Sequence, residues 1–103
     1  MIVVAGTVTV RPELREKAAT AAVSMVAATQ QEAGCLKYNI FSDLTDPHTF
    51  FVFEEWESDA ALMGHFQSAH MATFAAVLGE VLAGPPDIIR YEITASGPLP
   101  VGN

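Results

Sequence analysis

Basic residues are scarce. Lys and Arg number five in 103 residues against twelve Asp and Glu, for a formal net charge of −7. The five (Arg11, Arg15, Lys17, Lys37 and Arg90) are scattered and form no basic stripe, which argues against a nucleic-acid partner. Cysteine is nearly absent: the single Cys35 excludes an internal disulfide framework and fits a reducing cytoplasm. No run approaches the ~20 apolar residues that a membrane-crossing helix needs. The opening MIVVAGTVTV lacks the basic flank and unbroken apolar core of a secretory signal, so a cytoplasmic location is expected. Repeats and low-complexity segments are also missing. One domain is expected over 1–96, with a flexible tail over 97–103 that is loose or reaches a partner. Apolar side chains, by contrast, are plentiful at 50%, enough for a core and too many for disorder.

Periodicity divides the chain into six elements. IVVAGTVTV (2–10) is rich in β-branched residues and reads as a strand. Pro12 fits the first turn of a helix over 12–32, where Leu14, Ala18, Ala22, Met25 and Val26 recur at helical spacing. Gly34 ends it. CLKYNIFSD (35–43) and FFVFEEWE (50–57) read as strands joined through the turn chemistry of Asp46-Pro47. Ser58 is a good N-cap for a second helical region over 59–83, with Phe74, Val77, Leu78, Val81 and Leu82 on one face. Gly84-Pro85-Pro86 stops it, and DIIRYEIT (87–94) forms the last strand.

The order β-α-β-β-α-β is the ferredoxin-like arrangement, an α+β fold with a four-stranded antiparallel sheet and its helices on one face. Such a sheet should be apolar on one side only. Here Phe50-Phe51-Val52-Phe53 is apolar on both. Val3 and Ala5 oppose Ile2, Val4 and Val8, and Cys35 and Phe41 oppose Leu36, Tyr38 and Ile40. A chain this short has nothing left to cover a second face. A homodimer with two sheets packed face to face is therefore expected.

The stretch EAGCLKYNIFSD, followed by DPHTFFVFEEWESDAAL and then His65, Ser68-x-His70 and Phe74, resembles the antibiotic biosynthesis monooxygenase family. The likeness runs from the first strand to Tyr91 and lies in the order and spacing of these pieces. Within the family, the chain looks most like the small quinol monooxygenases. That resemblance implies a dimeric α+β barrel that oxidises a small phenolic or quinol aromatic with O2, using no metal and no other cofactor.

Such chemistry needs a dry apolar pocket, an aromatic wall and a few polar groups to orient the substrate and take its proton. Trp56 and Tyr38 are candidates for the wall. Phe53, Phe66, Met63 and Phe74 are candidates for the lining. His65 and His70 are candidate bases or hydrogen-bond partners. Asn39 is placed to orient a substrate oxygen or O2, and Arg90 to hold a phenolate. The expected catalytic set is His65, Trp56 and Asn39. Tyr38, Phe53, Phe66, His70, Phe74 and Arg90 are expected to bind substrate. Structural roles compete for several of these: packing for Trp56, capping or packing for His70, and pairing with Glu54 or Glu92 for Arg90. Glu54 and Glu55 point to opposite faces, so at most one can meet a pocket. His65 and His70 are five apart, about 500° of helical rotation, and do not share a face of a regular helix. Either the helix breaks near Ser68, which then caps a second segment, or the two histidines do different jobs. The spacing also argues against a two-histidine metal site.

Two other readings stand beside the oxygenase. LAGPPDIIRYE (82–92) looks like the ending of relatives that isomerise a phosphorylated furanone-like quorum signal, but a phosphate site wants clustered cations. The other is a non-catalytic dimeric small-molecule-binding protein. Haem degradation is disfavoured, because relatives that perform it use an Asn on the first strand and a Trp on the second helix, and neither is present here.

Overall fold

A computed structural model of the chain describes residues 1–100. Its elements are β1 (Ile2–Thr9), a 3-10 turn (Pro12–Leu14), α1 (Arg15–Thr29), β2 (Cys35–Ser42), β3 (Thr49–Trp56), α2 (Asp59–Phe66), α3 (Ala69–Val81) and β4 (Asp87–Glu92). The four strands form one antiparallel sheet in the order β2-β3-β1-β4, the ferredoxin-like arrangement expected. Part of the predicted tail, residues 101–103, lies outside the described residues. No helix among the described residues is long and apolar enough to cross a membrane.

Alternation along the strands decides what meets the helices. Ile2, Val4, Phe50, Val52, Glu54, Trp56 and Tyr38 are buried on the helix side. Asn39, Phe53, Ala5 and Ile89 line up across the opposite side, and so do Phe41, Phe51 and Thr7. Among the described residues nothing covers that outer side: Phe41, Phe51, Ile89 and Tyr91 are between 38% and 53% exposed. The pattern expected for β2 needs one correction. A bulge between Cys35 and Lys37 shifts the pairing, so that Cys35 packs against the core and Leu36 is exposed.

The second helical region is two helices rather than one. Ser68 Oγ accepts from the Met71 N–H and caps α3, while it donates to the His65 carbonyl at the end of α2. One side chain thus satisfies orphan groups of both helix ends. Gly34 has a φ of +82°, which favours glycine, and a Cβ there would lie 2.5 Å from the Ala61 Cβ. Its carbonyl accepts from the Glu57 N–H at 2.9 Å, which ties the end of α1 to the start of α2.

Candidate functional site

Between the helix side of the sheet and helices α1 and α3 lies a cavity of about 170 Å³. Its walls are mostly aliphatic: Val4, Val8 and Val52 from the sheet, Ala18 and Ala22 from α1, and Val77 and Leu78 from α3. Small residues on α1 keep that helix close without filling the space. Phe74 adds an aromatic wall, and half-exposed Phe66 and Ile88 also border the cavity. An apolar cavity of about 150 Å³ admits one benzene ring, which sets the scale.

Three polar side chains reach this space: Tyr38, Glu54 and His65. Tyr38 and Glu54 are directly paired neighbours on β2 and β3, which brings their side chains together. Burial, above all, raises the Glu54 carboxyl above the ordinary carboxylate range, and the Glu32 charge adds to this. A hydrogen bond from Trp56 and the nearby His65 act in the opposite direction. The Tyr38 phenol is raised first by burial, then by the charges of Glu54, Cys35 and Glu32. The Cys35 thiol is also raised, by burial and then by Glu32 and Glu54, which makes it a poor nucleophile.

Trp56 stands behind the cavity and does not line it. It is fully buried, its Nε1–H donates to Glu54 Oε1 at 2.9 Å, and its ring lies 4.9 Å from the His65 ring. The side chain expected to form a wall is therefore a buttress for two residues that do reach the cavity.

Behind His65 sits Glu32, in the turn after α1. Its Oε2 lies 2.6 Å from His65 Nδ1 and 2.7 Å from His70 Nε2. A carboxylate only accepts, so each ring places a hydrogen on the nitrogen facing it. In neutral His65 this leaves Nε2 as the basic nitrogen, and Nε2 makes no hydrogen bond among the described residues. Glu32 is held by its turn: the Glu32 N–H donates to the Thr29 carbonyl, and Gln30 Nε2 ties the same turn to the Tyr38 carbonyl. The break at Ser68 swings α3 so that His70, in its first turn, meets the same carboxylate. The two histidines thus come together although a continuous helix would have kept them apart.

The other expected site residues lie elsewhere. Asn39 and Phe53 pair with one another on the outer side of the sheet, away from the cavity. Met63 is exposed on α2. Arg90 pairs with Asp59, not with Glu54 or Glu92, through contacts of 2.7, 2.8 and 3.0 Å. His70 borders a groove between α1 and α3 outside the main cavity. Of the residues named from sequence, the cavity gathers Tyr38, His65, Phe66 and Phe74. Two were missed as site residues. Glu54 was legible by strand parity, since it shares a face with Val52 and Trp56. Glu32 was not, because its partners lie 33 and 38 residues away.

Glu32, His65 and His70 are also the one group among the described residues whose side chains offer three potential metal ligands near each other, all within 4.8 Å.

Comparison with known proteins agrees with the fold. A family model described as "Antibiotic biosynthesis monooxygenase" matches residues 1–77. The chain is 34% identical over 94 residues to "Putative monooxygenase YcnE" of Bacillus subtilis (strain 168), covering 91% of this chain and 99% of that protein. The crystal structure of PA3566 from Pseudomonas aeruginosa superposes with a TM-score of 0.83 at 30% identity, over 91% of this chain and 94% of that one. A crystal structure described as an antibiotic biosynthesis monooxygenase gives a TM-score of 0.86 at 25% identity, over 92% and 100% of the two chains.

Proposed function

Because this chain belongs to the antibiotic biosynthesis monooxygenase family, we propose that it oxidises a small phenolic or quinol-type aromatic with O2, without a bound cofactor, in the cavity beside His65. The observation that carries this reading is the cavity itself: an apolar space of one-ring scale whose polar end holds an imidazole with one nitrogen already committed to a carboxylate. Placing one oxygen atom in a product and releasing the other as water takes four electrons. With no cofactor, the substrate supplies all of them, which calls for an electron-rich ring that reacts as its phenolate.

In this reading His65 Nε2 takes the phenolic proton and Glu32 holds the imidazolium that results. Tyr38 and Glu54 orient the ring oxygens, and Phe66 and Phe74 confine the ring. Glu54 Oε1 is taken by the Trp56 N–H, which leaves the other carboxyl oxygen to accept from a ring hydroxyl. Trp56 acts through Glu54 and His65. Asn39, Phe53 and Arg90 have no part in this step.

The proposal includes a homodimer in the cytoplasm. The uncovered outer sheet face, with its exposed Phe41, Phe51, Ile89 and Tyr91, is the surface that a second copy would bury. The isomerase alternative lacks support at the cavity, since no Lys or Arg lines it and Arg90 is engaged by Asp59. The test is anaerobic incubation with a dihydroquinone, followed by admission of O2. Substrate-dependent oxygen uptake well above autoxidation is expected, with at least a tenfold loss in His65→Ala. Uptake no faster than autoxidation across a set of one-ring quinols would refute the oxygenase reading. Saturable binding without product would favour a binding protein.

A further inference from the structure

We propose that Glu32, His65 and His70 form a binding site for one divalent transition-metal ion, of the zinc or cobalt type, adjoining the cavity but separate from it. The donor set is two imidazoles and a carboxylate, the combination that borderline metals such as Zn²⁺ favour, and it leaves further coordination positions for water. This inference does not depend on the oxygenase reading.

Geometry supports it in three ways. First, the donors already converge: His65 Nδ1 and His70 Nε2 both lie against Glu32 Oε2, and no two of the three atoms are more than 4.8 Å apart. An ion bound about 2.0–2.2 Å from each requires the two nitrogens to close to about 4 Å or less and the oxygen to draw back to about 3 Å. Small side-chain movements of His70 and Glu32 accomplish this.

Second, rigidity and access are divided among the ligands. His65 is buried, with Trp56 and Tyr38 rings packed at 4.9 and 5.5 Å, so one ligand is fixed in advance. Glu32 and His70 are partly exposed, and each borders an open groove on the surface, Glu32 between the α1 turn and α2 and His70 between α1 and α3. An ion can arrive from solvent without passing through the apolar cavity.

Third, the ligands come from three separately anchored segments. The Gly34 turn holds Glu32, α2 carries His65, and the Ser68 cap sets the direction of α3 and hence of His70. A chance meeting on one mobile loop would lack that support.

The site has a chemical consequence. Metal on His65 Nδ1 displaces the hydrogen that this nitrogen gives to Glu32, and the neutral ring then carries its hydrogen on Nε2. The basic nitrogen that Glu32 leaves free becomes a donor. Loading the site therefore removes the base, so the metal would inhibit a cofactor-free oxidation.

The test uses the untagged full chain after chelator treatment. Titration with Zn²⁺ followed by calorimetry is expected to show one ion per chain at about micromolar affinity. Titration with Co²⁺ is expected to give visible absorption bands of a nitrogen- and oxygen-ligated ion. Glu32→Gln and His70→Gln should each weaken Zn²⁺ binding at least thirtyfold while keeping the wild-type circular dichroism. His48→Gln, outside the cluster, should bind as the wild type does. Absence of a one-to-one site in the wild type, or binding equally strong in both cluster variants, overturns the proposal. If a variant unfolds, a metal-dependent shift of the His65 and His70 ring resonances in the wild type decides the matter, and resonances unmoved by Zn²⁺ count against it. Loss of oxygen uptake on Zn²⁺ addition is a secondary readout. If the chain takes up no oxygen at all, only the oxygenase reading falls.

Discussion

Replacing Trp56 by Phe should expose how much the site depends on one buried hydrogen bond. The indole N–H donates to Glu54 Oε1 at 2.9 Å, and Trp56 is wholly inaccessible. Loss of a hydrogen bond to a buried charged group costs about 1.5–3 kcal/mol. The smaller ring leaves a gap worth about 1 kcal/mol more. Together these give a loss of about 3 kcal/mol where the carboxyl is ionised, or about 10–20 °C in melting midpoint for a domain of this size. In a Glu54→Gln background the buried charge is gone, so Trp56→Phe should cost little more than the packing term. The double-mutant cycle should then show a coupling of about 2 kcal/mol. Urea unfolding followed by far-ultraviolet circular dichroism measures it, since the variant lacks the only Trp. The pH dependence supplies a sign. Burial raises the folded carboxyl above its unfolded value of about 4.3. The folded chain thus keeps a proton that the unfolded chain has released, and stability falls as pH rises from the unfolded value to the folded one. The lost donor raises the folded value further, so the Trp56→Phe penalty should be largest above it and shrink as the pH is lowered toward 4. A coupling under about 0.5 kcal/mol, or a penalty independent of pH, would refute the account of Glu54 as a buried group held by Trp56.

Gly34→Ala should cost at least 2 kcal/mol in urea unfolding, because the left-handed backbone alone costs about 1–2 kcal/mol and the new methyl meets Ala61. Ser68→Ala removes the cap of α3 and should cost about 1 kcal/mol, with a weaker Zn²⁺ affinity as His70 loses its alignment. Phe51→Lys on the outer sheet face should shift the chain from dimer to monomer in analytical ultracentrifugation at micromolar concentration, with the protomer's circular dichroism retained; a wild-type chain that is already monomeric contradicts the dimer.

The order of elements was legible because it rests on local signals: β-branched runs, a Pro at a helix start, Gly34 at a helix end and Ser58 as a cap. The surplus of apolar residues on both sheet faces was equally readable, since strand parity needs no tertiary information. Parity also assigns Glu54 to the side of Trp56, yet a carboxylate beside an aromatic run draws attention to the aromatic first. Asn39 and Phe53 were misplaced because their side-chain types suited the expected chemistry, whereas their parity with Phe41 and Phe51 puts them on the outer face. The bulge at Cys35 and Lys37 reversed the sides of Cys35 and Leu36, and nothing in CLKY announces a bulge. Arg90 and Asp59 lie 31 positions apart, and only the fold brings them together. Glu32 is the extreme case: it reads as one more charge at a helix end until the helix break brings two histidines to it.

That break turns a weak motif into a site. On one continuous helix, residues five apart differ by about 500° of rotation, leaving about 140° between their side chains. His65 and His70 would then face different surroundings, and neither a shared partner nor a shared ion would be possible. Gln67 and Ser68 interrupt the helix at little cost, because the Ser68 hydroxyl satisfies a carbonyl of α2 and an N–H of α3 together. Helix α3 starts in a new direction, its first turn falls beside the end of α2, and the same spacing that separates the two rings on a rod now brings their centroids to 6.0 Å. A spacing argument is thus only as sound as the continuity it assumes, and a Ser with a helix former on either side is the local sign that continuity can fail. The position of the interruption decides the rest: one residue earlier or later, α3 would start about 100° away in rotation, and Glu32 would meet at most one of the two imidazoles.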